Sequence, residues 1–146
     1  MAAYLDLDNM LNTSGGNTFL DPVKIFKQVG LAKGHKLADL GCGAVGHFVF
    51  PAVNIVGKDG MVYAVDIRKI ILEGIKNRAR VDGIENLETV WTNLEVPKAT
   101  GITDESLDVA TLFNTLFQSK KRKEILTEAI RMVKAGQASS DRLEAR

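Results

Sequence analysis

One cysteine, Cys42, stands in 146 residues. That excludes an internal disulfide framework and a cysteine-rich zinc site, and it suits a reducing compartment. Neither sign of charge is in excess. Nineteen Lys and Arg against eighteen Asp and Glu leave a formal charge of +1, too little for a whole-surface field that would hold a nucleic acid backbone. No apolar run approaches the roughly 18 residues a membrane helix needs. The opening MAAYLDLDNM has acids where a secretory signal would be basic and then apolar. A cytoplasmic protein with no membrane partner is therefore expected. Only His35 and His47 could serve as histidine ligands or bases, and neither has a metal-ligand partner at a useful spacing, so no metal site is expected.

What the chain does contain is material for one domain. At 45% hydrophobic and 25% charged it has the composition of a soluble globular protein, and its length matches one core. Residues 1–18 read as a flexible N-terminal segment, 19–136 as the folded domain and 137–146 as a polar tail. Asp21 followed by Pro22 is an N-cap with a first helical residue, Ile25, Phe26 and Val29 form an apolar stripe, and Gly30 ends the turn. Lys36 to Leu40 reads as a buried strand running into a glycine cluster, followed by helical content from Phe48 to Val56. Met61 to Val65 is a second strand ending on Asp66, and Lys69 to Val81 a helix with basic residues on its outer face. Leu87 to Trp91 and Leu107 to Phe113 are a third and a fourth strand, and Lys120 to Val133 the last helix. Strands separated by helices predict an α/β fold, a mainly parallel sheet with helices on both faces.

In such folds ligands sit beyond the carboxyl ends of the strands. Gly41-Cys42-Gly43-Ala44-Val45-Gly46 matches G-x-G-x-x-G, and Asp66 ends the next strand. The glycines permit tight turning, and the carboxylate can accept hydrogen bonds from both hydroxyls of a ribose. The spacing alone would favour a nicotinamide or flavin dinucleotide. Asp39, two positions before Gly41, argues otherwise, because it puts a negative charge where a pyrophosphate would lie. It suits a cofactor with an ammonium and a sulfonium, such as S-adenosylmethionine.

Leu37-Ala38-Asp39-Leu40-Gly41-Cys42-Gly43 resembles the first motif of class I S-adenosylmethionine-dependent methyltransferases. In order, Val62 to Asp66 resembles the family's second strand and its ribose-binding acid, Asn86 to Trp91 the third strand, Ser106 to Ala110 the fourth, and Arg131 to Gly136 the helix end before the fifth. The resemblance covers about residues 19 to 136. It implies a Rossmann-like three-layer sandwich of strand order 3-2-1-4 that lacks the family's C-terminal strands. It also implies that Gly41 and Gly43 face the methionine and ribose portions of the cofactor, Asp66 the ribose hydroxyls and Asp39 the amino-acid end. Thr92 and Asn93 fall where the family contacts adenine, and Asn114 at the methyl-donor end. Asn93 replaces the usual acid there, and Val45 stands where many members have a further glycine.

Methyl transfer from a sulfonium is an in-line displacement that needs positioning more than an acid or base. This agrees with the lack of any triad or carboxylate pair, and no catalytic residue is assigned. His47 is expected at the rim of the site, Cys42 as a small buried apolar residue, and Trp91 in the core. The run Lys120-Lys121-Arg122-Lys123 reads as a solvated helix start. Phe113-Asn114-Thr115-Leu116-Phe117 lacks the paired prolines used on nucleobases, so nucleic acid is not an expected partner. The small, polar segment from Asn12 to Thr18 reads either as a lid that closes over the cofactor or as a disordered tail.

The function expected is methyl transfer to a small-molecule or otherwise unidentified acceptor. The alternatives are a nicotinamide-dependent oxidoreductase and a cofactor-binding fragment without turnover. The last arises because Gln137 to Arg146 has no strand pattern. The apolar fourth strand would then be an open edge that invites self-association.

Overall fold

The computed structural model describes residues 2–3, 21–112 and 115–135. In chain order the elements are β1 (Ala2–Ala3), α1 (Pro22–Gln28), β2 (Lys36–Leu40), α2 (Val49–Val56), β3 (Met61–Asp66), α3 (Lys69–Val81), β4 (Leu87–Trp91), β5 (Val109–Thr111), α4 (Thr115–Gln118) and α5 (Arg122–Met132). Asn114, the segment from Asn12 to Thr18, Gly136 and the tail 137–146 lie outside the described residues.

Asp21 caps α1 as its sequence requires, its Oδ1 accepting from the N–H groups of Val23 and Lys24 at 3.0 and 3.3 Å, with Pro22 at the first helical position. Pro51 is the third residue of α2, where the missing N–H would have had no helical partner. The sheet is parallel throughout, in the order β1-β5-β2-β3-β4. The four expected strands are therefore arranged 3-2-1-4, with β1 added beyond the fourth. Leu37 pairs with Val62 on one side and Val109 on the other, which makes β2 the central strand.

Side-chain alternation along β2 divides the core. Leu37 points with Val62, Ala64 and Val109 into a layer filled by Phe26, Val49, Val53, Val56, Leu72 and Ile75, which come from α1, α2 and α3. Ala38 and Leu40 point with Val65 and Ala110 into the opposite layer, against Ile125, Ala129 and Met132 of α5. The outcome is the three-layer sandwich.

Two expectations are corrected. Trp91 is 64% exposed. It sits on β4, an outer strand of the sheet, where its indole N–H donates to the Ile67 carbonyl at 2.9 Å and Lys69 lies 5.4 Å from the ring centroid. The edge of the fourth strand is also not open. Ala2 and Ala3 pair in parallel with Ala110 and Thr111, while Leu107, outside β5, bridges Val133 in parallel. Val133 thus meets the chain just before β5, a contact that the sequence pattern did not reveal.

Leu40→Ala removes a fully buried side chain from the α5-facing layer and is expected to cost about 2–5 kcal/mol in urea unfolding. Ile70→Ala, on the exposed face of α3, is expected to stay within about 0.5 kcal/mol of the wild type.

Candidate functional site

The carboxyl ends of β2, β3 and β4 converge on one side of the sheet. Beyond Leu40 the chain turns sharply at Gly41, whose φ is +84°, and the N–H groups of Gly41 and Cys42 both donate to the Val65 carbonyl, at 2.7 and 3.0 Å. A Cβ on Gly41 would lie 2.0 Å from Thr115 Oγ1, and that hydroxyl donates to the Leu40 carbonyl at 2.7 Å. Glycine is required twice over, by backbone conformation and by the approach of α4. Gly46 has a packing role. A Cβ there would lie 2.6 Å from the Phe50 ring of α2, while Val45 beside it is exposed.

Asp66, at the end of β3, is 4% exposed and has both carboxylate oxygens engaged. Oδ1 accepts from the Arg68 backbone N–H at 2.9 Å and from Arg68 Nε at 3.0 Å. Oδ2 accepts from Gly43 N–H at 3.3 Å and from Arg68 Nη2 at 3.2 Å. Burial would raise the pKa of this acid, but the Arg68 side chain and the two backbone donors outweigh it and hold the carboxyl below its ordinary range.

Asp39 has the opposite balance. It lies deeper, 2% exposed, and accepts one hydrogen bond, from Thr111 Oγ1 at 2.8 Å. Burial dominates and pushes it up to about 7, with the charge of Asp66 adding to the rise, while Thr111 and His47 act against it. His47 is exposed beside the loop and does not line the pocket that opens there. Cys42 is buried, and burial, followed by the charges of Asp39 and Asp66, pushes its thiol up to about 12. It is therefore not a thiolate at neutral pH.

A pocket of about 360 Å³ opens beside the loop, a size suited to a small-molecule ligand. Of the residues selected from sequence, Gly41, Asp66, Thr92 and Asn93 line it. Gly43 does not line it but donates its N–H to Asp66, and Asp39 lies behind the Gly41 turn without lining it. The Asn93 amide oxygen accepts from Glu95 N–H at 2.9 Å, so one of its two acceptor positions shapes its own turn. The opposite wall is formed by Thr115, Gln118 and Ser119. The Ser119 hydroxyl donates to Glu95, whose other oxygen lies 3.9 Å from Lys121, which ties the two walls together. Among the described residues no group of three or more His, Cys, Asp or Glu could hold a metal ion, and no helix is long and apolar enough to cross a membrane.

Sequence reading missed Arg68, Thr111 and Thr115. Arg68 carried a signal, since a base two residues after a strand-terminal acid can fold back onto it. Thr111, a hydroxyl in an apolar strand, hinted at a buried partner. Nothing local marked Thr115.

Residues 31–140 match the methyltransferase domain family, and the chain belongs to that family. It is 33% identical over 64 residues to an aklanonic acid methyltransferase of Streptomyces sp. (strain C5), a match covering 44% of this chain and 29% of that protein. Among solved structures it resembles a SAM-dependent methyltransferase from Aquifex aeolicus, with 26% identity and a TM-score of 0.69, over 78% of this chain and 58% of that one. It also resembles an arsenic(III) S-adenosylmethionine methyltransferase from Chlamydomonas reinhardtii, with 26% identity and a TM-score of 0.64, over 71% of this chain and 36% of that one. The chain thus spans between 29% and 58% of the length of these relatives. S-adenosylmethionine is the cofactor that the names of both solved relatives state.

Gly41→Ala is expected to destabilise the domain by more than about 1 kcal/mol. Adding Thr115→Ala should recover only the part due to the clash, which a double-mutant cycle in urea measures. The raised Asp39 has a defined pH signature. Between about pH 4 and 7 the folded protein keeps a proton that the unfolded chain has released, so the contribution of Asp39 to stability is fully present below about pH 4 and lost as pH rises through about 7. The Tm of the wild type is expected to fall over this window relative to that of Asp39→Asn, by differential scanning calorimetry.

Proposed function

We propose that this chain forms the cofactor-binding part of an S-adenosylmethionine-dependent methyltransferase that delivers the methyl group to a small molecule. The observation that carries the reading is the pairing of a carboxylate at the end of β3 with the tight Gly41 turn at the end of β2, both opening onto one pocket. The buried Asp39 supports it. Among the described residues that acid has one side-chain donor, Thr111, which fits a cationic rather than a phosphate-bearing ligand and favours this cofactor over a dinucleotide.

When bound, the cofactor supplies an electrophilic methyl group on a sulfonium. The residues of this chain would bind and orient it. Asp66 accepts from the ribose hydroxyls, Gly41 and Gly43 allow the backbone to approach closely, and Asp39 offsets positive charge at the amino-acid end. Thr92 and Asn93 line the adenine side, the free acceptor position of the Asn93 amide taking the exocyclic amine. Asn114 is proposed at the methyl end. Thr115, Gln118 and Ser119 form the wall past which an acceptor would enter. Because the displacement is in line, holding two reacting atoms in contact in a water-poor pocket supplies most of the rate, and no side chain is assigned as a base. A small-molecule acceptor is favoured by the pocket volume and by the acceptor that the name of the Streptomyces relative states for that protein.

Titration calorimetry with S-adenosylhomocysteine tests the reading. Wild-type protein is expected to bind, and Asp66→Ala to bind at least about tenfold more weakly, since it loses charged hydrogen bonds, with an unchanged circular dichroism spectrum. Equal binding of the two proteins, or thermal protection by NAD alone, would overturn it. Binding without transfer of label from methyl-labelled cofactor to any of a panel of small phenols, carboxylates and thiols would confine the chain to cofactor binding.

A further inference from the structure

Asp66 has no acceptor position to offer. A carboxylate has about four in-plane lone-pair positions, and four donors fill them: the backbone N–H groups of Gly43 and Arg68, and Nε and Nη2 of Arg68. The two backbone donors are fixed by the glycine loop and the start of α3. The two side-chain donors form a fork, one prong on each oxygen. A ribose can therefore reach Asp66 only if the guanidinium leaves. The exposures say which partner moves, since the Arg68 side chain is 59% exposed and that of Asp66 3%. Arg68 can swing into water from the pocket wall it helps to form, while the carboxylate is held by the loop.

We propose that Arg68 is a specificity-determining residue, an internal competitor that occupies the diol position of Asp66 and yields it only to a ligand with two adjacent hydroxyls. The inference rests on the reading of Asp66 as the ribose acceptor. Two vicinal hydroxyls replace the two prongs one for one. A single hydroxyl replaces one prong and leaves a carboxylate oxygen underbonded in a buried setting, where an unmet acceptor is costly. The fork thus converts a general preference for ribose into rejection of deoxyribose, at the expense of affinity for every nucleoside. No covalent step is involved, and each donor removed from the carboxylate is replaced by another.

Arg68 is the N-cap of α3 but makes no side-chain capping bond, so Arg68→Ala is expected to fold. Adenosine is the probe because it carries the diol without net charge. In titration calorimetry Arg68→Ala should bind adenosine about three- to tenfold more tightly than wild type, in line with loss of a charge-assisted pair on a partly exposed side chain. It should also discriminate less between adenosine and 2′-deoxyadenosine. Arg68→Lys, a point charge without a fork, should fall between. Wild-type affinity for adenosine should rise with salt as the ion pair is screened, and that of Arg68→Ala should not. Equal or weaker adenosine binding by Arg68→Ala, in a protein whose wild type binds S-adenosylhomocysteine, would overturn the role of Arg68 and leave the cofactor reading intact. Absence of S-adenosylhomocysteine binding by both folded proteins would overturn the cofactor reading, and the role of Arg68 with it.

Discussion

At Gly41 three parts of the molecule meet in a space that holds no side chain. The turn must leave β2 in a left-handed conformation, pass over Val65 closely enough for two N–H groups to share its carbonyl, and admit the Thr115 hydroxyl to the Leu40 carbonyl. Every ligand-facing group depends on this approach. It places Gly43 against Asp66, seats the start of α4 as one wall of the pocket, and leaves Asp39 covered behind the turn. A methyl group at this one position would separate the strand end from the wall, and the pocket would lose its floor.

The two carboxylates set by this turn sit in contrasting surroundings. Asp66 is surrounded by donors, which keeps it charged despite burial, whereas Asp39 has one hydroxyl and a low-dielectric surrounding. Their ionisation therefore differs by environment and not by residue type. Burial behind the turn holds Asp39 toward its neutral form, while Asp66 presents a charge that some donor must satisfy. Arg68 meets that condition from two residues along the chain.

Much of the fold could be read from the sequence because the information is local. The N-cap of Asp21, the buried run of β2 and the acid ending β3 each depend on a few neighbouring residues, and the G-x-G-x-x-G spacing marked the loop. The misreadings concern features fixed by distant partners. Trp91 has the composition of a core residue, but β4 is an outer strand and the ring faces solvent, over the carbonyl of Ile67 and under Lys69. The fourth strand is apolar from Leu107 to Phe113, yet β5 spans only Val109 to Thr111. Leu107 stands apart in a bridge to Val133, and Asp108 turns its carboxylate to the Lys36 N–H and the Lys134 ammonium. Of the six chosen site residues that the structure describes, the four that line the pocket lie at or just after strand ends, which hydropathy locates well. Thr115 opens the short helix α4 and Ser119 follows its end, and their partners Leu40 and Glu95 lie far away in the sequence.

The outer edge of β5 is made of two pieces from distant parts of the chain, Val133 at its start and Ala2–Ala3 at its finish. Ala3 pairs with Thr111, and Thr111 carries the hydroxyl that holds Asp39. The third residue of the chain is therefore joined, through one ladder step and one side-chain hydrogen bond, to the most deeply buried acid of the site.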